Sequence, residues 1–548
     1  MAEWWKNAVV YQIYPRSFSD SNGDGIGDLA GITEKLDYLC DLGVNAIWIS
    51  PIYCSPMDDN GYDISDYYKV DSMFGSNEDM EYLLEEAKKR KIKIILDLVV
   101  NHCSDEHIWF QKAKENPNCE ESGYFYFKTT EDGQEPNNWR SNFGGSVWSQ
   151  LPDKRWYYHT FSSKQPDLNW ENPKLRRKIY EMINWWLEKG ISGFRVDAIT
   201  FIKKDTTFAS RETKDGCLYP VENLTDYPGI NQFLSELKQN TFDKYKCMTV
   251  AEAPGVGKET FRAYAGEGGF FSMIFDFNWD NMEDEEDKSS VDAVERWKEK
   301  IFHSQKFTYE NGWCGIFLEN HDQSRCVNKF LEEKCRNYNS ITALAVLYFC
   351  MYGTPFIYQG QEIGMTNVAW KSVDEMDDVR AKGMYREAIE KGEDPSKVLK
   401  YFEEWGRDNA RTPMQWDDSN NAGFTDGIPW LKVNENYHRI NVAEQENDPA
   451  SILTFYKKLI KVRRDPEYKN IFTEGDFSPV FEKIPALIAY SRKKGKETLT
   501  IVVNFKNKYQ SIPIVKGECI LNNCNTLEIH DEEIMLQPYQ AVVIYNKE

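Results

Sequence analysis

Short, largely apolar runs recur along the first two thirds of the chain, each bounded by polar or turn residues. Eight of them, at 9–13, 46–50, 93–100, 193–197, 247–251, 273–277, 315–318 and 355–358, have strand length and lack strict alternation. A strand apolar on both faces is one buried on both faces, as in a parallel sheet covered by helices. Between these runs the period changes. Residues 80–90 and 174–189 repeat apolar side chains every three or four positions, which predicts amphipathic helices. Eight strand-then-helix units predict an α/β fold, a (β/α)8 TIM barrel. The longest apolar run, 341–352, is too short to cross a bilayer and predicts a buried helix.

The spacing breaks twice. A polar, aromatic stretch at 103–168 separates strands three and four, and a second, at 366–427, follows strand eight. Barrel active sites are built from loops at the strand C-termini, so both stretches are expected to wall the site. From about residue 470 the texture shifts to short β-rich runs, such as 499–505 and 541–545, separated by turn residues. The expected organisation is a catalytic barrel over 1–102 and 169–470 with a loop subdomain at about 366–427, an inserted loop-rich domain over 103–168, and an all-β domain over 471–548.

Composition narrows the partners. The 548 residues suit two or three domains, and 41% hydrophobic with 28% charged residues is a folding composition. A net charge of −22 without a long basic run argues against nucleic acid and anionic membranes. The 12 cysteines contain no C-x-x-C pair, which points to reduced thiols in a cytoplasmic protein rather than to zinc or a disulfide scaffold. The first residues lack the basic-then-apolar plan of a signal peptide. A monomer or weak homo-oligomer is expected.

Polar residues close several of the apolar strands: Asp97 with Asn101 and His102, Arg195 with Asp197, Glu252, and Glu319 through Asp322. A charge ending a buried strand is costly unless paired or functional, and these ends converge on one rim. Carboxylates, two histidines and an arginine without metal-ligand spacing fit glycoside hydrolysis, where one carboxylate attacks and another donates a proton. Arg195 lies two positions from Asp197, on the same side of the strand, and would keep it ionised.

The strings Asp97-Leu-Val-Val-Asn-His102, Gly193-Phe-Arg-Val-Asp197, Glu252 and Glu319-Asn-His-Asp322 resemble the four signature regions of the α-amylase superfamily, in order and spacing. Gln165-Pro-Asp-Leu-Asn169, Asp59-Asn-Gly-Tyr62 and Arg411-Thr-Pro-Met-Gln-Trp416 resemble its oligo-1,6-glucosidase and α-glucosidase branch. The resemblance implies Asp197 as nucleophile, Glu252 as general acid/base and Asp322 as third carboxylate. It implies that Arg195 orients Asp197, that His102 and His321 bind sugar hydroxyls, and that Tyr62 stacks on the sugar. Asp59 would pair with Arg411, or alternatively Arg407, to close the pocket, with Phe143 and Gln165 lining it. The implied activity is a retaining, exo-acting α-glucosidase on short oligosaccharides. A sucrose isomerase or transglucosylase with the same glucosyl-enzyme is the alternative. Thr200 and Phe201 stand where amylases of the family carry Lys-His, which argues against an open, endo-acting cleft.

Two further expectations attach to particular residues. Asp20, Asn22, Asp24, the Ile26 carbonyl and Asp28 follow the oxygen-ligand spacing of the first part of an EF-hand loop, with Gly25 at the sharp turn and Gly31 in place of the final Glu. This predicts a structural Ca²⁺, or Mg²⁺, as the branch often carries. Ala198, after the nucleophile, resembles a selector position where Val accompanies α-1,6 and Ala or Thr accompanies α-1,4 specificity. Maltose-type links are therefore expected to be cleaved at least as well as isomaltose. Arg380 departs from the acidic residue expected near that position in α-1,6-specific relatives.

Overall fold

The computed structural model describes residues 3–548. Eight parallel strands close into a barrel: β1 (Val10–Ile13), β2 (Ala46–Ile49), β3 (Lys93–Val99), β4 (Gly193–Asp197), β5 (Met248–Ala251), β6 (Met273–Phe275), β7 (Cys314–Ile316) and β8 (Thr354–Tyr358). Each pairs with its sequence neighbours, and β1 pairs with β8. All eight predicted runs are barrel strands, and the α/β barrel reading holds. The ladders stop earlier than apolarity suggested on β6 and β7. After β6, Asp276 turns to accept from Trp279 Nε1 at 2.9 Å and Ser304 Oγ.

Trp48, Ile95, Val250, Phe275, Phe317 and Phe356 form one buried cluster. The outer layer of helices forms the larger core. The helix predicted at 80–90 spans Asn77–Lys89, because Ser76 and Asp79 form a capping box that starts it one turn earlier. The helix predicted at 174–189 spans Pro173–Lys189, capped by Asn172 and ended by Gly190 in the left-handed region. The apolar run near 341–352 belongs to the buried helix Tyr338–Phe349.

Between β3 and β4 the chain forms a helix, Ile108–Glu115, and a three-stranded sheet of Phe127–Lys128, Trp156–Tyr158 and Trp148–Gln150. Trp139–Arg140 pairs with Tyr219–Pro220, tying this insert to the loop beyond β4. After β8 come the helices Val379–Glu390, Pro395–Trp405 and Asp408–Arg411. The C-terminal strands form a five-stranded and a three-stranded sheet. Tyr490 anchors them to the barrel helices by donating to the Leu347 carbonyl at 2.6 Å.

Candidate active site

Strand register brings the charges together. Arg195 on β4 sits directly beside Asp97 on β3, and the Glu252 amide extends the β4–β5 ladder by donating to Val196 at 2.9 Å. The result is three carboxyls on one guanidinium. Arg195 Nη1 bonds Asp97 at 2.9 Å and Asp197 at 2.5 Å, and Nη2 bonds Glu252 Oε2 at 2.7 Å. Arg195 and Asp97 are fully enclosed, whereas the Glu252 side chain keeps 27% of its surface exposed. Glu252 Oε1 makes no hydrogen bond among the described residues.

Burial, opposed by Arg195, raises Asp197 and Glu252 to about 7 and Asp97 to about 6. Three carboxyls sharing one cation titrate as a unit, and the cluster retains a proton near neutrality. Asp322 is the opposite case. Burial pushes it up, but His321, Arg407 and Arg411 outweigh that and hold it well below the usual carboxylate range. Ala198 follows Asp197 at φ 44°, in the left-handed region, and its amide donates to Glu252 Oε2 at 3.2 Å. Such a conformation in a non-glycine residue costs about 1–3 kcal/mol and couples the backbone after one carboxylate to the other.

These carboxyls face a cavity of about 490 Å³. Its inner end is enclosed by Asp59, Tyr62, His102 and Arg407, all nearly buried. Arg407 Nη2 lies 3.3 Å from Asp59, Nη1 lies 3.2 Å from Asp322, and Asp378 holds the guanidinium from behind. The partner of Asp59 is thus Arg407, and the pair expected with Arg411 is not formed. Arg411 is fully buried behind Asp322, bonding it at 2.8 Å and the His321 carbonyl at 2.9 Å. It does not line the cavity. The two arginines are one helical turn apart, so sequence left both open and only the fold separates them.

His321 and Gln165 also stand one layer back rather than in the wall. Gln165, wholly buried, donates to Asp59 at 3.2 Å and approaches His102 Nε2 at 3.2 Å. His321 stacks on Tyr62 with ring centroids 5.3 Å apart. Gln12 Nε2 donates to His321 Nδ1 at 2.8 Å, which leaves the proton on Nε2, 2.6 Å from the Tyr62 hydroxyl and 3.2 Å from Asp322. Burial lowers His321 to about 3 and His102 to about 4, so both are neutral donors or acceptors at pH 7. Asp167, from the block at 165–169, pairs with buried Lys204 at 2.6 Å and accepts from Asn101 at 3.2 Å, fixing the strand end that carries His102. Glu319 is likewise structural, buried against Arg325 at 3.2 Å.

The outer half of the cavity comes mostly from loops, with one residue from the Val379–Glu390 helix. Phe143 and Phe161 from the insert join Ala198, Phe201, Glu222, Thr225, Gly255 and Arg380. Phe143 and Ala198 were foreseen, and Phe201 and Arg380 stood out as departures from the family's pattern; Phe161, Glu222, Thr225 and Gly255 carried no motif, since loop residues meet here only through the fold. The 20–28 loop lies outside the cavity wall. Its Asp20 accepts from the Asn22, Gly23 and Gly25 amides, Asn22 from Asp24, and Asp24 from Ile26. Asp28 caps the following helix and accepts from Ser21. Among the described residues no three His, Cys, Asp or Glu side chains cluster as a metal site, so a cation there would also need the Asn22 and Ile26 oxygens.

Residues 12–474 match the family model for the α-amylase catalytic domain. The chain is 44% identical to an oligo-1,6-glucosidase of Bacillus cereus, covering 99% of both chains. It is 42% identical to a glucan 1,6-α-glucosidase of Streptococcus pneumoniae, again covering 99% of each. Among solved structures, the isomaltulose synthase of Protaminobacter rubrum superposes with a TM-score of 0.92 at 37% identity over 100% of both chains.

Proposed function

The chain belongs to the α-amylase family and is an exo-acting α-glucosidase, and we propose that it cleaves short α-1,4- and α-1,6-linked oligosaccharides by double displacement at Asp197. The observation that carries this is the blind inner end. Asp59, Arg407 and Asp378 seal the cavity just beyond Asp197, Glu252 and Asp322, leaving room for a terminal ring before the reacting bond.

In this reading the terminal glucose enters with its ring against Tyr62 and its hydroxyls on Asp59, Arg407, His102 and Asp322. Asp197 attacks the anomeric carbon while Glu252 gives its proton to the glycosidic oxygen, so the C–O bond breaks and the shortened sugar leaves. The glucosyl ester on Asp197 is then attacked by water, whose proton returns to Glu252. Arg195 spans both carboxyls through the two ends of one guanidinium, which favours the short separation of about 5–5.5 Å used by retaining enzymes. Asp322, held ionised, stabilises the positive charge that develops on the ring.

The test is product analysis on maltotetraose, maltose, isomaltose and sucrose. Glucose and maltotriose as the first products of maltotetraose support the reading; internal cleavage to maltose would overturn it. Isomeric disaccharides from sucrose, in place of glucose and fructose, would favour the isomerase alternative.

We also propose that the 20–28 loop binds Ca²⁺ through Asp20, Asn22, Asp24, the Ile26 carbonyl and Asp28. The donors are all hard oxygens, and Gly25, at φ +94°, sits so close to the Ile428 carbonyl that a Cβ would lie 1.9 Å from its oxygen. The ion would brace this loop against the 425–429 segment. Chelation should therefore lower the melting temperature more than initial activity; metal-free protein with an unchanged melting curve would rule the site out. The six buried thiols suit a reducing, cytoplasmic setting. No described helix is long and apolar enough to cross a membrane.

A further inference from the structure

Among the described residues two cations line the cavity, Arg407 and Arg380, and only the first is neutralised. Arg407 is shared among Asp59, Asp322 and Asp378. Arg16 faces Asp377 at 3.6 Å and stacks on Trp430, and Arg140 faces Glu387 at 3.3 Å. Arg380 lines the cavity, yet its guanidinium makes no ion pair or hydrogen bond among the described residues. The adjacent carboxylates are committed elsewhere: Asp377 to Arg16, and Asp378 to Arg407 and to the Arg380 backbone amide.

Its position assigns it to the leaving group. The cavity runs from buried Asp59 and Tyr62, through the reacting carboxylates, to the exposed Gly255 and Glu222 at the mouth. Arg380 is half-buried, and it belongs to the same helix as Gly383, whose Cβ position is 3.0 Å from the Phe143 carbonyl. Phe143 lies over Arg407 with its ring 5.3 Å from that guanidinium, so Arg380 stands where the insert aromatics carry the cavity wall outward from the sealed end. A neutral sugar there leaves five N–H donors and a full positive charge to water. A sugar carrying an anionic group would meet them with charge-assisted, forked bonds. Glu222 lies on the same wall, but no ion pair links it to Arg380, so the cation is not cancelled.

We propose that Arg380 makes the leaving-group side of the cavity selective for a sugar bearing an anionic substituent, a phosphate monoester above all. The claim rests on the α-glucosidase reading and adds the charge of the second sugar. The same hydrolytic steps apply, and the phosphate stays on the departing sugar unchanged.

The experiment compares kcat/KM for maltose, for maltose phosphorylated on C6 of its reducing-end ring, and for the corresponding reducing-end 6-uronate. It uses wild type, Arg380→Lys and Arg380→Glu. Glucose, glucose 6-phosphate and glucuronate are titrated in parallel as ligands by calorimetry. Wild type should prefer the phosphorylated substrate, and glucose 6-phosphate should bind more tightly than glucose. In Arg380→Glu the phosphorylated-to-neutral ratio should drop by roughly 10- to 100-fold, the value of a charged hydrogen-bonded contact. Arg380→Lys should keep part of the preference. A preference for the uronate equal to that for the phosphate would keep the anion claim and remove the phosphate one. Equal kcat/KM for charged and neutral substrates, or a ratio unmoved by Arg380→Glu, would overturn the proposal while leaving the glucosidase reading intact. Failure of wild type to cleave any of these glucosides would instead strike that reading, and glucose 6-phosphate binding would still decide the role of Arg380.

Discussion

The two ends of the cavity are built by different rules. The inner end draws on the segments that follow β2, β3 and β8, each side chain held by a second buried layer: Tyr62 by His321, Asp59 by Gln165, and Arg407 by Asp378. Polar groups there are fixed before substrate arrives, so binding costs little reorganisation. The mouth is made of loop residues and the first turn of the Val379–Glu390 helix, with aromatic faces from the insert beside Arg380, unpaired among the described residues. The contrast implies that the inner end sets what is transferred and how, whereas the mouth sets what may leave. Perturbing the first should abolish chemistry; perturbing the second should redistribute it among substrates.

The largest effects belong to the shared guanidinium cluster. Asp197→Ala and Glu252→Gln should each reduce kcat/KM on maltose by on the order of 10³-fold or more, measured in steady state. Retention of even a tenth of the activity in Asp197→Ala would remove the nucleophile assignment.

The seal comes next. Arg407→Met removes the cation paired with buried Asp59 and Asp378, and breaking such a pair costs about 3–5 kcal/mol of stability. Activity should fall on the order of 10²-fold, while Arg411→Met should act through Asp322 and leave the Asp59–Arg407 pair in place. The melting temperatures and maltose kinetics of the two variants separate these roles. Equal profiles would blur the distinction drawn between them.

Ala198 borders both regions. Ala198→Val should lower the α-1,4 to α-1,6 ratio of kcat/KM roughly tens-fold, because one steric contact is worth about 1–3 kcal/mol. A β-branched residue at φ 44° is also strained, so the variant should melt at a lower temperature. An unchanged linkage ratio would end the selector argument.

The smallest effect is in pH. Glu252, raised by burial to about 7, must be protonated to act, so kcat/KM should decline about tenfold per unit as pH rises beyond 7. On the acid side activity should decline as Asp197 gains a proton. Both limbs belong to the coupled cluster. Replacing Arg380, outside the cluster, should leave the position of the alkaline limb where it was. An alkaline limb that moved with Arg380→Glu would show that the two ends are not electrically separate.

The chain's legibility follows the same division. Strands buried on both faces read as apolar runs, so all eight barrel strands were visible, and charges ending such strands stood out against them. Asp197, Glu252 and Asp322 were legible for that reason. Arg407 and Arg411 were not separable, because one opens the block at 411–416 and the other stands a helical turn before it, and only packing against β7's outgoing loop decides which reaches Asp59. Gln165 and His321 were placed in the wall because sequence marks a residue's vicinity but not its layer. Phe161, Thr225 and Gly255 belong to loops with no periodic signal, and nothing short of the fold brings them together. Arg380 registered only as a charge out of place.

The most direct test of the central claim, that Asp197 attacks the sugar and retention follows, is proton NMR of glucose in the first turnovers on p-nitrophenyl α-glucoside, whose leaving group adds no second glucose, before mutarotation. Attack by Asp197 followed by water gives α-glucose as the first-formed anomer. β-Glucose would mean direct attack by water and would contradict it.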